Sequence, residues 1–141
     1  MWPSSFAQRL ESWAALRNQC QDLPIESALI AINTWWFRTP WTPYYLHWDD
    51  QPSWPDPWQL LADNVFCNVA RGLGILYTIS MLERADLQDS VLVEDDSNNI
   101  VLVQGEKYIL NWDAAAIVNI NLGPIKTRRS VSQQQIFNQL K

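Results

Sequence analysis

The sequence predicts an α+β domain, and three observations predict it. Apolar residues recur with helical spacing in the first sixty positions, and residues 65–82 are apolar almost all round. From Val91 onward, β-branched runs alternate with turn residues. Helical patterns that come first and strands that follow segregate into an α+β architecture, here helices around a buried central helix followed by a small antiparallel meander. At 141 residues one domain is expected, with enough chain to bury a real core.

Ser4 or Ser5 caps a first helix with Phe6, Leu10, Trp13 and Leu16 on one side; it should end near residues 19–22, before Pro24. Pro24 suits the first turn of a second helix, and Glu26 complements its N-terminal dipole. The buried stripe is Ile25, Ala28, Leu29, Ile32 and Trp36, and Pro40 ends the element. The stretch WWFRTPWTPYYLHWDDQPSWPDPW, residues 35–58, holds six of the nine tryptophans and five of the eight prolines. Proline removes backbone donors, so this is neither a regular helix nor a central strand. Each buried Trp or Tyr removes roughly 150–250 Å² from water, so it is not a floppy linker either. It reads as a long, ordered loop, and such loops are usually functional.

Asp56-Pro57 then opens a short helix burying Leu60 and Leu61. Residues 65–82 follow as the central helix, in which Gly72 and Gly74 let a neighbouring backbone come close. VLVEDD, NIVLVQ, KYILNW and AIVNIN are the expected strands, and Gly123-Pro124 breaks the meander. A domain is thus expected over residues 1–123. Residues 124–141 carry Lys126, Arg128, Arg129 and Lys141 with no acid, and read as a basic arm or appended helix. Its sparse apolar residues predict an arm that is mobile until a neighbouring subunit receives it.

The net charge of −5 argues against nonspecific binding to DNA or RNA, and no apolar run reaches the roughly 20 residues of a membrane span. The N-terminus lacks the basic and apolar regions of a secretory signal. Two cysteines make no disulfide framework, so a reducing cytoplasm is the default compartment. With one histidine, a zinc site is nearly excluded, and no cofactor is expected.

Cys67 is the one plausible nucleophile, near a helix start where the dipole favours a thiolate. The plainer reading is a buried structural cysteine. His47 is the sole imidazole; Asp49 or Asp50 is placed to orient it. His47-Trp48-Asp49-Asp50 also fits a weak cation site or an Asp-capped turn. From Asp95 the sixth residue is Ile100, where a calcium loop needs glycine, so residues 94–99 read as a hairpin turn. The loop aromatics read as a satellite core, a protein interface or a stacking platform. The favoured contacts with other subunits are Trp41, Tyr44, Tyr45, Trp48 and Trp54, with Lys126, Arg128, Arg129, Ile136, Phe137 and Leu140 of the tail.

Two resemblances meet in this region. A helix ending in a Trp pair, then DPWQLL, a cysteine opening an apolar helix and strands ending in KYILNWD is similar to transglutaminase-like and papain-like cysteine proteins. It implies Cys67 as nucleophile and Asp113 as triad acid. Asn98 or Asn99 stands where that family has histidine, which implies an inactive relative. Residues 41–79, WTPYYLHWDDQPSWPDPWQLLADNVFCNVARGLGILYTI, also resemble small proteins of contractile-tailed bacteriophages, cyanophages included. That resemblance implies a non-catalytic virion part from neck, tail or baseplate, assembled with other protein subunits in the host cytoplasm. The alternative is a cysteine hydrolase or acyltransferase.

Overall fold

The computed structural model describes residues 2–96, 98–118 and 125–136. Among the described residues, five α-helices, two short 3-10 helices and a four-stranded antiparallel sheet form an α+β fold. Helix α1, Phe6–Cys20, is capped by Ser5, whose hydroxyl accepts from the Gln8 amide at 3.1 Å. Helix α2, Ile25–Trp36, begins after Pro24 and buries Ala28, Leu29, Ile32 and Trp36. In α3, Pro57–Asp63, the Asp56 carboxylate accepts from the Gln59 amide at 2.7 Å, and left-handed Asn64 closes the last turn.

Helix α4, Asn68–Leu82, is the centre of the molecule: α1, α2 and α3 pack on it, as do two strands of the sheet. It starts three residues later than expected, because Val65 to Cys67 run extended against the aromatic loop. Phe66 forms a parallel bridge with Trp41, and its carbonyl accepts from the Thr42 amide at 2.8 Å. The α4 glycines admit mainly side chains; the backbone approach expected of them is seen at Gly72, where the Asn99 carbonyl would lie 3.7 Å from a Cβ. A Cβ on Gly74 would sit 2.4 Å from the Trp36 ring, and one on Gly72 would sit 2.6 Å from Leu92 Cδ1. Thr78 Oγ1 accepts from the indoles of both Trp13 and Trp36 at 2.9 Å, which joins α1 and α2 to α4 within the apolar core.

Strands β1, Val91–Glu94, β2, Asn99–Val103, and β3, Tyr108–Leu110, form the expected meander. Between β1 and β2 the Asp95 amide donates to the Asn98 carbonyl at 2.8 Å. The fourth strand is not where it was expected. Residues 116–118 of AIVNIN lie outside any strand, although Ile117 is buried and its carbonyl accepts from the Ile109 amide at 2.8 Å. Residues 119–121 and Gly123-Pro124 fall outside the described residues.

The fourth strand is β4, Arg129–Ser132, from the segment expected to be a mobile arm. It pairs antiparallel with β1, so the order is β3-β2-β1-β4. Helix α5, Gln133–Ile136, continues from it, and Val131 and Ile136 are buried in the main core. The tail segment 125–136 is therefore part of the domain. Two apolar side chains, one on each side of the strand–helix junction, suffice where a paired strand edge already supplies the backbone bonds. One face of the sheet lies on α4, and the other buries Val93, Ile100, Leu102 and Ile109 beneath Trp112 and Ile125.

Candidate functional site

The aromatic loop folds over the N-terminus of α4. Buried tryptophans hold it there through their indole donors. Trp48 Nε1 donates to Asn99 Oδ1 at the start of β2 and Trp54 Nε1 to the His47 carbonyl, both at 2.8 Å. The two rings meet edge to face with centroids 5.2 Å apart. Tyr77 of α4 donates to the Pro55 carbonyl at 2.6 Å. Tyr45 is half-buried and donates to Asp63 Oδ2 at 2.6 Å. Burial, reinforced by that carboxylate, pushes the Tyr45 phenol up to about 12.

This arrangement sorts the expected contact residues. Trp48 and Trp54 belong to the core and offer no docking surface. Trp41 and Tyr44 are 62% and 67% exposed. Of the tail residues, Lys126 and Arg128 are exposed and Ile136 is buried, while Phe137 and Leu140 lie outside the described residues. Arg129 pairs with Glu94 at 2.9 Å and with Asp49 at 2.5 Å, and its guanidinium lies over the Trp48 ring.

A cavity of about 280 Å³ opens between the loop, the start of α4 and the β1–β2–β4 edge. Cys67, His47 and Asp49 all line it, together with Tyr44, Asn68, Glu94, Asn99 and Arg129. Cys67 is the N-cap residue of α4 and is 4% exposed; its sulfur accepts from the Leu46 amide at 3.4 Å. His47 is thus one residue from the contact with the thiol, yet among the described residues no hydrogen bond joins them. Its Nδ1 meets the Tyr44 hydroxyl at 2.5 Å instead, and Asp49 is turned to Arg129. Asp113 does not reach the cavity. Its carboxylate accepts from the Ala115 amide at 2.7 Å, and its carbonyl from Asn33 Nδ2 at 2.8 Å. No group of three His, Cys, Asp or Glu side chains suited to a metal ion occurs among the described residues.

Beneath the cavity lies an amide network that nothing in the sequence singled out. Asn111 Nδ2 donates to the carbonyls of Asn99 at 2.6 Å and Asn68 at 2.9 Å, while its Oδ1 accepts from Arg71 Nε at 2.6 Å. Its own amide donates to Asn33 Oδ1 at 2.9 Å. Asn111 has φ of 65°, a left-handed conformation that asparagine tolerates. Arg71 is stacked on Phe37 at 4.0 Å, and burial pushes its guanidinium down. The Asn111 side chain thereby ties α4 and β2 to the end of β3, and its main-chain amide adds α2. The only advance signal was an Asn directly after a β-branched run, which is common at strand ends.

A recess of about 610 Å³ at the opposite end of α4 is larger. Its lining of serines, glutamines, Glu83, Asp89 and Val91 contains no cysteine or histidine. Of these two cavities, the smaller is the one that brings a cysteine and a histidine together. Compared with known proteins, the chain matches no family model, no curated protein and no solved structure. No helix among the described residues is long and apolar enough to cross a membrane.

Proposed function

We propose that this chain is a non-catalytic structural subunit of a larger assembly and docks on a neighbour through the exposed corner of its aromatic loop. The observation that carries this reading is the contrast within one loop. Trp48 and Trp54 are sunk in the core, while Trp41 and Tyr44 stay mostly exposed on backbone pinned to Phe66 and to Cys67. Aromatic side chains held in place before binding lose little entropy on docking, which is how interface hot spots gain affinity. The polar groups of the cavity also favour a structural role. The His47 ring nitrogen is engaged by Tyr44, Asp49 by Arg129, and the Asn99 amide oxygen by Trp48. The resemblance of residues 41–79 to small contractile-tailed phage proteins supports a virion neck, tail or baseplate as the assembly. The test is the double variant Trp41→Ala/Tyr44→Ala, made in the source assembly. Loss of the subunit from purified particles, with the isolated variant still folded, is expected; normal incorporation overturns the reading.

One observation favours a second reading, a cysteine hydrolase or acyltransferase. Cys67, His47 and Asp49 border the same cavity. Productive use needs His47 to leave Tyr44 and turn to the sulfur, since a base must reach its nucleophile. Alkylation separates the two readings, because a thiolate reacts with iodoacetamide well below pH 8 and a structural thiol does not.

A further inference from the structure

Residues 39–70 carry four aspartates, Asp49, Asp50, Asp56 and Asp63, and neither lysine nor arginine. The same stretch supplies the exposed rings of Trp41 and Tyr44. Few cations stand near it along the chain. Arg38 precedes it and is exposed. Arg71 follows it and is stacked on Phe37, with its Nε given to Asn111. Arg129 reaches over from β4 and shows how this surface receives a cation. Its guanidinium lies 5.9 Å from the centroid of the Trp48 ring and bonds the carboxylates of both Glu94 and Asp49. Two carboxylates thus share one cation. The Asp49 side chain stays 91% exposed, and the Asp50 carboxylate beside it has no hydrogen bond or ion pair among the described residues. Tyr44, Asp49 and Glu94 border one cavity. The Tyr44 ring is fixed there, with its hydroxyl 2.5 Å from His47 Nδ1 and the two ring centroids 4.3 Å apart, edge to face.

We infer that the aromatic corner receives a basic segment of a different subunit, its arginine or lysine side chains lying on Tyr44 and Trp41 with Asp49 and Asp50 beside them; this rests on docking through that corner and adds the chemistry of what docks. An aromatic face attracts a cation through its quadrupole, and arginine also stacks on it. Carboxylates at the rim steer a basic partner in and repel an acidic one. A second copy of this chain fits poorly, since it carries a net charge of −5 and its basic strand β4 is already paired with β1.

The test in solution uses two synthetic probes, hexa-arginine and hexa-glutamate. Each is titrated into the isotopically labelled protein while the Trp41 indole and Tyr44 amide resonances are followed. Hexa-arginine is expected to shift both saturably, with an affinity that falls as salt is raised; hexa-glutamate is expected to shift neither. Asp50→Lys should weaken hexa-arginine binding severalfold. Glu106→Lys, the same charge change in the exposed turn between β2 and β3, should leave it unchanged. Hexa-arginine that spares both resonances, or that the two reversals weaken alike, overturns the inference. The salt titration of the unaltered chain decides the matter if Asp50→Lys fails to fold. Incorporation into the source assembly separates the basic partner from the docking itself. Asp50→Lys is expected to be left out, as is Trp41→Ala/Tyr44→Ala. Normal incorporation of Asp50→Lys beside loss of the aromatic double variant overturns the basic partner and keeps the docking, whereas normal incorporation of both overturns both. Self-association of the purified chain that the aromatic double variant abolishes would make the occupant a second copy and overturn the inference too.

Discussion

The indole nitrogen of Trp48 donates to the side-chain oxygen of Asn99 at 2.8 Å, across 51 residues of chain. It fastens the aromatic loop to the sheet, alongside the Asp49–Arg129 ion pair to β4. Trp48→Phe keeps most of the ring and leaves the Asn99 oxygen without that donor, a change of about 1–2 kcal/mol. A urea-denaturation cycle with Asn99→Ala is expected to show coupling of about 1 kcal/mol between the two sites. Additive effects would mean that the loop is held by packing alone.

Gly74 faces Trp36. Alanine there gains up to about 1 kcal/mol of helix propensity, but its methyl would lie 2.4 Å from two atoms and 2.7 Å from a third of an indole edge that cannot retreat from the core. Steric overlap wins. Gly74→Ala should lower stability by about 1–3 kcal/mol in thermal or chemical melts. A neutral or stabilised variant would contradict the packing of α2 on α4.

The tail supplies a sharper test. Ile136→Ala is expected to cost about 2–3 kcal/mol, as for a buried isoleucine. A tail that floats free of the domain would lose nothing. The same substitution therefore separates a strand–helix unit within the core from an arm that orders only on a partner.

Alkaline pH should loosen the aromatic loop. The Tyr45 phenol is raised to about 12 in the folded protein, against about 10 in an unfolded chain. Between those values the unfolded state releases the proton first. The contribution is complete below pH 10 and is lost as pH rises through 12. Two units correspond to about 2.7 kcal/mol, which solvent screening at this half-exposed site reduces to roughly 1 kcal/mol. Tyr45→Phe should flatten that part of the stability–pH curve. The part due to Tyr77, whose phenol burial also raises, should persist.

Cys20 and Cys67 are both free and buried, and burial pushes the Cys20 thiol up. A structural role predicts that neither is alkylated by iodoacetamide at neutral pH until the protein unfolds. Selective early labelling of Cys67 would make the cavity a catalytic site instead.

The helix limits were legible because they rest on chemistry that acts within one turn. Ser5 and Asp56 cap their helices with their own side chains, and Pro24 and Pro57 stand where a missing amide costs nothing. The three meander strands were legible for a similar reason, since β-branched runs and turn residues carry their periodicity locally. The sequence by itself thus determined the α+β class, the first three helices and the core of the meander. Only the tertiary structure decided the rest. Arg129-Ser130-Val131-Ser132 has one apolar residue and becomes a strand because the edge of β1 offers it partners some forty positions earlier. The division of the loop aromatics into core and surface was also beyond the sequence, because Trp41 and Trp48 are chemically identical. Trp48 is buried because Asn99 meets its indole and Trp54 its ring. Trp41 remains outside on a backbone bridge to Phe66. The placing of Cys67 and His47 on one cavity, and the exclusion of Asp113, arose in the same way, from where the loop crosses the helix terminus and where the strand ends.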